Sequence, residues 1–459
     1  MKMNTLPAIV ITALVITVAG FGEEGGVKLT PSGFGSYEVG QIVEANPIST
    51  GDVMNIKADH LLVQKVFIGL NLHLSYEPLP ISTNIGLEMK SFTVSPRSKL
   101  ISMDQGQATR FFYFTYLTRA DFVYSHSDAF NLEVGFFPVK YNENARNLGE
   151  YLFRTGTYPQ YIITNFDFAA ARVTGLNAFG TLLGNLNYQT LLTINTEYAT
   201  MGDLNLTGIT SYSFLDRFCE LGAGVSFCSI ISADARHTHP PLKDVTQSDR
   251  YKYLDGIDTN TYTFAGTKLM GRILIDPKSL FQIDIFGKDD LKLYAEAAVL
   301  GVKNYPTSIN YESTIIINAD NDTFNIGTRY DDIMKRLPIM FGINVPTFKL
   351  LDVLNFEAQW FGSIYPNDMA EYIRDGIPVP ICRGPWEAWG YADSTRDNWK
   401  WSFYAKKTLA NHFNVVLQVA SDHLRWDYSA DYGKQSGLLS EALTRPNHMY
   451  WVVKMGYNF

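Results

Sequence analysis

Hydrophobic and polar residues alternate one by one along much of this 459-residue chain. The last eleven residues show the pattern most clearly, because every odd position from Met449 to Phe459 is apolar or aromatic, whereas the even positions include Lys454, Gly456 and Asn458. A period of two is typical of a β-strand with one apolar face. A strand of this kind at the very end of a chain favours the closing strand of a membrane barrel, although a strand of a soluble sandwich has the same period.

The same alternation predicts about sixteen strands, and therefore a transmembrane antiparallel up-and-down β-barrel. Fourteen or eighteen strands also fit, because boundaries inferred from a pattern shift by a few residues. Short and long connections alternate, as expected for short periplasmic turns and long extracellular loops. The predicted strands are Gly33–Val43, Leu62–Tyr76, Ile81–Phe92, Thr109–Tyr124, Phe130–Phe137, Ala171–Thr181, Leu186–Glu197, Leu204–Phe214, Phe218–Ile230, Thr261–Ile275, Leu291–Lys303, Leu337–Thr347, Val353–Ser363, Asn398–Leu409, Phe413–Leu424 and His448–Phe459.

The first twenty residues have the layout of a secretory signal peptide. Lys2 precedes an apolar run from Leu6 to Ala19, and small residues follow at Gly20 and Gly22. An uncleaved anchor is the alternative, but the run is short for a transmembrane helix. We therefore predict a signal peptide at 1–20, a single barrel domain at 21–459, and export through the periplasm to the outer membrane of a Gram-negative bacterium.

Composition agrees with a membrane barrel and excludes several other classes. Mean hydropathy is only -0.06 although 14% of the residues are aromatic, and no apolar stretch after residue 20 is long enough for a membrane helix. The net charge of -8, without a basic block, gives no indication of nucleic acid binding. The three cysteines do not form a disulfide framework, since Cys219 and Cys228 have opposite parity on one predicted strand.

A barrel of about sixteen strands leaves an aqueous channel, which the polar side of each strand lines. Acidic and basic residues on these positions nearly balance, which predicts weak charge selectivity. Our lumen-lining candidates are Lys268, Arg272, Glu296, Glu357 and Lys400, within a larger set that also contains Lys65, Glu88, Lys90, Arg119, Asp121, Glu133, Glu197, Glu220, Lys292, Lys406, Asp422 and Lys454. Each of them has an alternative role as a wall charge that pairs with a neighbour.

With its signal peptide, sixteen-strand rhythm and terminal Phe459, the whole chain resembles bacterial outer-membrane porins, although no family-specific motif matches. In such porins a loop after the fifth strand often folds into the pore and narrows it. The resemblance makes Lys140, Arg146, Glu150 and Arg154 pore constriction candidates. The last three are spaced i, i+4, i+8, so a short helix would place them on one face. An outward-facing loop or a plug brace is the alternative.

The resemblance implies passive diffusion of small hydrophilic solutes, and porins of this size often form homotrimers. Expected partners are outer-membrane lipid and the barrel-assembly machinery, which the C-terminal Tyr457 and Phe459 would engage. An alternative function is binding or adhesion, for example to a glycan, through the long aromatic and proline-rich loop at 364–397.

Catalytic and metal-binding signals are weak in this sequence. The order of residues matches neither a Ser-His-Asp triad, a P-loop nor an HExxH motif, so we expect no enzyme, cofactor or metal. His237-Thr238-His239 is expected to be exposed polar sequence, and Asp320-Asn321-Asp322 lacks the rest of a calcium loop. Loop residues that converge only in three dimensions stay open as the basis of a barrel enzyme.

Overall fold

The structure of the protein is a computed structural model that describes most of the strands and part of the connections. The predicted signal peptide 1–20 lies outside the described residues, as do Glu197, Cys382, both candidate metal motifs and the loop 364–397. The described residues are 26–45, 47–49, 55–57, 62–95, 110–153, 171–194, 204–231, 266–280, 284–302, 315–317, 323–325, 333–361, 399–422, 425–426, 440–441, 443 and 447–459.

Sixteen antiparallel strands close into one barrel, which confirms the predicted fold class and strand number. Two of them, β2 and β8, have the predicted bounds. The strands are β1 (Val27–Glu44), β2 (Leu62–Tyr76), β3 (Ile81–Ser95), β4 (Arg110–Ser127), β5 (Phe130–Val139), β6 (Ala171–Leu182), β7 (Leu186–Ile194), β8 (Leu204–Phe214), β9 (Cys219–Ile231), β10 (Gly266–Ile275), β11 (Leu293–Val299), β12 (Ile339–Asn344), β13 (Val353–Trp360), β14 (Trp399–Leu409), β15 (Phe413–Ser421) and β16 (Met449–Asn458).

Small differences from the predicted bounds have local causes. β11 begins at Leu293 rather than at Leu291, because Leu291 has a φ of +61° and lies outside the extended region of backbone space. Three two-stranded ribbons lie in the long connections and stay separate from the barrel. They pair Pro47–Ser49 with Asn55–Lys57, Ile315–Ile317 with Thr323–Asn325, and Arg425–Trp426 with Ser440–Glu441.

The first and last strands close the barrel as the sequence predicts. In the ladder between β1 and β16, Tyr37 lies opposite Met455 and Gln41 lies opposite Trp451. Because β1 also pairs with β2 over its length, this sheet has no free edge. Closure satisfies the backbone hydrogen-bonding groups that a bilayer cannot satisfy.

Side chains alternate between the two faces of the barrel wall. On β2, Val66 and Ile68 are exposed on the outside, whereas Lys65 and Phe67 are buried on the inside. The other strands repeat this arrangement, with apolar residues outside and most charged residues inside. Such an inverted surface is stable in lipid and not in water, so the fold is a transmembrane β-barrel. The described part of the chain contains no helix long and apolar enough to cross a membrane.

Both chain ends of the described barrel lie at the end where the short turns lie, here called the short-turn end. Its connections are 77–80, 128–129, 183–185, 215–218, 276–292, 345–352 and 410–412. The connector 276–292 is the longest of them, as the sequence predicts. Cys219 and Cys228 lie on opposite faces of β9 and are free thiols, which agrees with the predicted absence of a disulfide between them.

Candidate functional site

Residues 140–153 follow β5 and run across the inside of the barrel. We call them the cross-lumen segment. Backbone amides of the segment donate to Glu357 of β13, and β13 lies eight strands from β5 in a ring of sixteen, which is the opposite wall. The segment consists of turns and bends without an α-helix, and its second half contains two positive φ values, +89° at Gly149 and +64° at Glu150. A loop after the fifth strand therefore lies inside the barrel.

Glu357 of β13 holds the tip of the cross-lumen segment. Its carboxylate accepts hydrogen bonds from three successive backbone amides, those of Arg146 at 2.5 Å, Asn147 at 2.8 Å and Leu148 at 2.8 Å. The Tyr294 hydroxyl donates a fourth hydrogen bond at 2.6 Å. Glu357 is completely buried, so the three amides provide the partial positive charge that a buried carboxylate needs.

Glu296 of β11 holds both arms of the same segment. The carboxylate accepts hydrogen bonds from the Tyr141 hydroxyl at 2.6 Å, the Asn142 side-chain amide at 3.0 Å and the Tyr151 backbone amide at 2.9 Å. The Tyr141 hydroxyl also accepts a hydrogen bond from the Leu152 amide at 3.1 Å. Burial, followed by the negative charge of Glu296, raises the pKa of Tyr141 well above its usual value, so this hydroxyl stays a donor.

A third carboxylate, Asp422, extends the attachment to β15 and β16. Its Oδ2 accepts a hydrogen bond from the Asn147 side-chain amide at 2.7 Å and another from the Tyr450 hydroxyl at 2.8 Å. Gln418 in turn donates to the Tyr450 hydroxyl at 3.0 Å. The cross-lumen segment is thus tied to three carboxylates on separate parts of the wall.

Apolar packing adds to these polar attachments. Leu148, Tyr151 and Leu152 are almost completely buried against the wall, and the Tyr151 hydroxyl donates to Gln359 at 2.8 Å. Gly149 has a φ of +89°, which favours glycine, and a Cβ there would lie 2.5 Å from Met340 Cε, so the methionine would have to move. The buried apolar cluster comprises Phe137, Val139, Tyr141, Ala145, Leu148, Tyr151, Leu152, Leu191, Ile209, Met270, Tyr294, Ala298, Leu300, Met340 and Phe361.

Among the predicted constriction residues, Lys140 lies at the start of the cross-lumen segment. Its ammonium donates to the Ala145 carbonyl at 2.8 Å. Burial lowers the pKa of Lys140, and the nearby Glu150 carboxylate opposes that shift. Glu150 itself is buried and accepts a hydrogen bond from the Asn142 amide at 2.6 Å, so it does not share a helical face with Arg146. The helix that would place Arg146, Glu150 and Arg154 on one face does not form within residues 140–153, and Arg154 lies outside the described residues.

Arg146 connects the cross-lumen segment to the short-turn end. Its guanidinium lies 3.4 Å from Asp289 in the connector 276–292, and Lys292 binds the same carboxylate at 2.7 Å. Burial alone would raise the pKa of Asp289, but the hydrogen bond and charge of Lys292, together with the charge of Arg146, hold it below its usual value. The Arg146 and Lys292 side chains are both partly exposed, at 21% and 14%.

The five lumen-lining candidates all lie on the inward-facing side of their strands. Glu296 and Glu357 are covered by the cross-lumen segment, and Lys268 donates to the Tyr151 and Leu152 carbonyls at 3.4 Å each. Arg272 binds Glu220 at 2.6 Å, and Lys400 donates to the Leu443 carbonyl. Whether these residues contact a solute stays a prediction.

Other charges of the lumen wall also have partners within the wall. Arg119 binds Asp121 and, at 2.9 Å, Glu133. Asn84 and Asn177 complete this network by donating to Asp121 and Glu133 at 2.6 and 2.9 Å. On the neighbouring strands β1 and β2, Lys65 binds Glu38 at 2.7 Å. Among the described residues, no group of three or more His, Cys, Asp or Glu side chains is placed to hold a metal ion.

The sequence alone did not identify which wall residues carry the cross-lumen segment. Glu296 and Glu357 were predicted only as lumen charges, and Tyr294 and Tyr450 were not predicted to have a role. One signal was present, because Glu296 and Glu357 are each the only charged residue of their strand, β11 and β13. The role of Glu296 and Glu357 in binding the cross-lumen segment becomes visible only in the closed ring of sixteen strands, which brings both residues next to that segment.

Comparison with known proteins identifies similar folds but no family. No family model and no curated protein sequence matches the chain. Among solved structures, a Rh. blastica porin mutant has 9% identity and a TM-score of 0.41, covering 94% of this chain and 100% of its own. Pseudomonas putida OprB has 8% identity and a TM-score of 0.41, and the match covers 100% of this chain and 98% of OprB. The outer membrane channel DcaP of Acinetobacter baumannii has 11% identity and a TM-score of 0.44, and the match covers 96% of this chain and 99% of DcaP. These superpositions are coarse, and the strand order and register of the chain itself define the fold.

Proposed function

We propose that this protein is a porin-like channel of the bacterial outer membrane that passes small hydrophilic solutes by passive diffusion. The observation that carries the proposal is the cross-lumen segment, which Glu357 fixes to the wall opposite β5 and Glu296 fixes to β11. A segment held in this way narrows a water path at a fixed position. A barrel that acts only through its external loops would not need such an internal segment. Transport without a cofactor or a catalytic step fits this architecture.

Weak charge selectivity is the second part of the proposal. Inward-facing charges occur largely as neighbouring opposite pairs, such as Arg272 with Glu220 and Lys65 with Glu38. Paired charges cancel at a distance, so no single sign dominates the field along the water path. Ions of both signs are then expected to pass with similar ease.

The narrowest part of the path is proposed to lie beside Arg146 and Lys140. Arg146, Asp289 and Lys292 form a partly exposed ion cluster where the cross-lumen segment approaches the connector 276–292. Glu150 stabilises the fold of the segment in this region, because its carboxylate accepts a hydrogen bond from the Asn142 backbone amide. Arg154 stays a constriction candidate on the basis of sequence alone.

Location and assembly follow from the same proposal. The signal peptide at 1–20 would direct export, with the short-turn end on the periplasmic side of the membrane and the long loops on the outer side. Tyr457 and Phe459 lie at the C-terminal end of β16, more than half exposed, where the barrel-assembly machinery and lipid can reach them. A homotrimer is the proposed assembly, and no nucleic acid partner is proposed.

Liposome swelling tests the proposal with the purified full-length protein. Sugars of increasing size should enter at rates that fall steeply once the sugar approaches the width of the narrowed path. Liposomes that exclude even the smallest sugar would contradict a diffusion channel. Binding through the loop 364–397 would then become the better account, and deletion of that loop should abolish cell or glycan binding.

A further inference from the structure

Five of the seven connections at the short-turn end carry a highly exposed leucine. These residues, here called the leucine collar, are Leu79, Leu183, Leu215, Leu280 and Leu350, with exposed fractions of 51%, 91%, 71%, 56% and 76%. Turns in water are normally built from Gly, Asn, Asp and Ser. An apolar side chain repeated in turn after turn therefore indicates a surface that does not face bulk water.

Backbone geometry does not explain two of these leucines. Leu183 and Leu215 have φ values of +51° and +47°, a region that favours Gly, Asn and Asp and that is unfavourable for Leu. The turn at 410–412 adopts the same region without a leucine, because Ala410 and Asn411 have φ values of +49° and +61°. Leu183 and Leu215 are thus present despite the conformation of their turns, which points to a contact made by the side chains.

The leucine collar continues the lipid-facing surface of the barrel. Tyr76, Phe214 and Tyr457 are exposed on strand ends directly beside the short turns. Aromatic residues of membrane barrels gather at the level of the membrane–water interface. The collar lies next to this aromatic level, and its members follow β2, β6, β8, β10 and β12 around most of the rim. A single docked protein would cover only one side of the barrel rim, whereas lipid surrounds the whole circumference. The spread of the leucine collar around the rim therefore favours lipid.

We propose that the leucine collar lies in the boundary between headgroups and acyl chains of the adjacent phospholipid leaflet. The short-turn end would then be held at the lipid surface rather than project into the periplasm. The contact is independent of solute passage, so it goes beyond the channel function, and a silent barrel would still show it.

Depth measurements in proteoliposomes test the proposal. In a background with Cys219→Ser, Cys228→Ser and Cys382→Ser, the variants Leu183→Cys, Leu215→Cys and Leu350→Cys are each labelled with a nitrobenzoxadiazole probe. The liposomes contain phosphatidylethanolamine and phosphatidylglycerol. The probes should emit at shorter wavelength, be quenched by lipids with a nitroxide near the carbonyl, and resist aqueous iodide.

Asp128→Cys and Asn411→Cys are matched controls, because both lie on exposed short turns without a collar leucine. Their probes should emit at longer wavelength and be quenched by iodide. Collar probes that behave like these controls would overturn the proposal. Protection that arises only after a membrane protein extract is added would also overturn it, in favour of a protein partner.

Unmodified protein provides a second test that needs no folded variant. A phospholipid with a photoreactive diazirine near its headgroup is crosslinked to the wild-type barrel, and adducts are located by mass spectrometry. Adducts should concentrate in 77–80, 183–185, 215–218 and 345–352. Equal labelling of 410–412 would contradict a specific role of the leucines.

Discussion

Gly33 and Phe459 exchange two backbone hydrogen bonds, each of 2.9 Å, at the point where the barrel closes. A side chain does not fit there, because a Cβ on Gly33 would lie 2.8 Å from the Gly69 carbonyl oxygen and 2.5 Å from the Phe459 ring. Phe459 therefore completes the ladder between β1 and β16, and its ring lies over Gly33, which has no side chain.

Deletion of Phe459 should slow or impair barrel assembly, because it removes this exchanged pair and an exposed aromatic group at the interface. The measurement is the fraction of heat-modifiable, folded barrel in outer membranes. Phe130→Ala is a suitable control, since Phe130 is also an exposed aromatic residue beside a short turn but lies away from the closing strands. Normal insertion without Phe459 would contradict the role given to the C-terminus.

Glu357→Gln should release the tip of the cross-lumen segment. An amide has one oxygen where the carboxylate has two, and it lacks the charge that three amides and Tyr294 stabilise. We expect the buried donors left behind to cost about 1–3 kcal/mol. Hydrogen exchange measured by mass spectrometry should show faster exchange of the amides of 146–148.

Glu220→Gln is the control for this prediction. Glu220 is also an inward-facing carboxylate, but it binds Arg272 of the wall rather than the cross-lumen segment. Exchange at 146–148 should stay as in the wild type. Equal acceleration by both substitutions would show that the effect comes from the barrel as a whole.

Gly149→Ala should displace the middle of the cross-lumen segment. The new Cβ would meet Met340 Cε and would require a non-glycine residue at a φ of +89°. Gly184→Ala imposes a similar backbone conformation, at a φ of +75°, where no atom lies within 4 Å of the new Cβ. Current noise in single-channel recordings should rise for Gly149→Ala and not for Gly184→Ala, and equal noise would contradict the tight fit.

The link between Arg146 and Asp289 should persist in mild acid. Because the pKa of Asp289 is lowered in the folded protein, its contribution to stability is present above the ordinary pKa and is lost only as pH falls through the lowered value. Hydrogen-exchange protection of 140–153, corrected for the intrinsic rate, should stay constant from about pH 8 to about pH 5. Asp289→Asn should reduce it across that range, and a wild-type loss near neutral pH would contradict the assignment.

Alternation predicted which side chain faces lipid, and it did so well because the period of a strand is fixed. Val66 and Lys65 could be assigned to opposite faces from their order alone. The role of Glu357 could not be predicted, since it depends on a residue 210 positions earlier, at Asn147, reaching the opposite wall. The conformation of 140–153 also escaped prediction, because Glu150 adopts a positive φ that its spacing to Arg146 does not suggest.

The central claim is that the cross-lumen segment narrows an open water path rather than sealing it. Single-channel recording in planar bilayers, comparing the wild type with a variant that lacks residues 141–152, tests this claim directly. We predict discrete conductance steps for the wild type and larger steps for the deletion variant, both with little preference for cations or anions. A silent wild type beside a conducting deletion variant would show that the segment is a plug and would contradict the account.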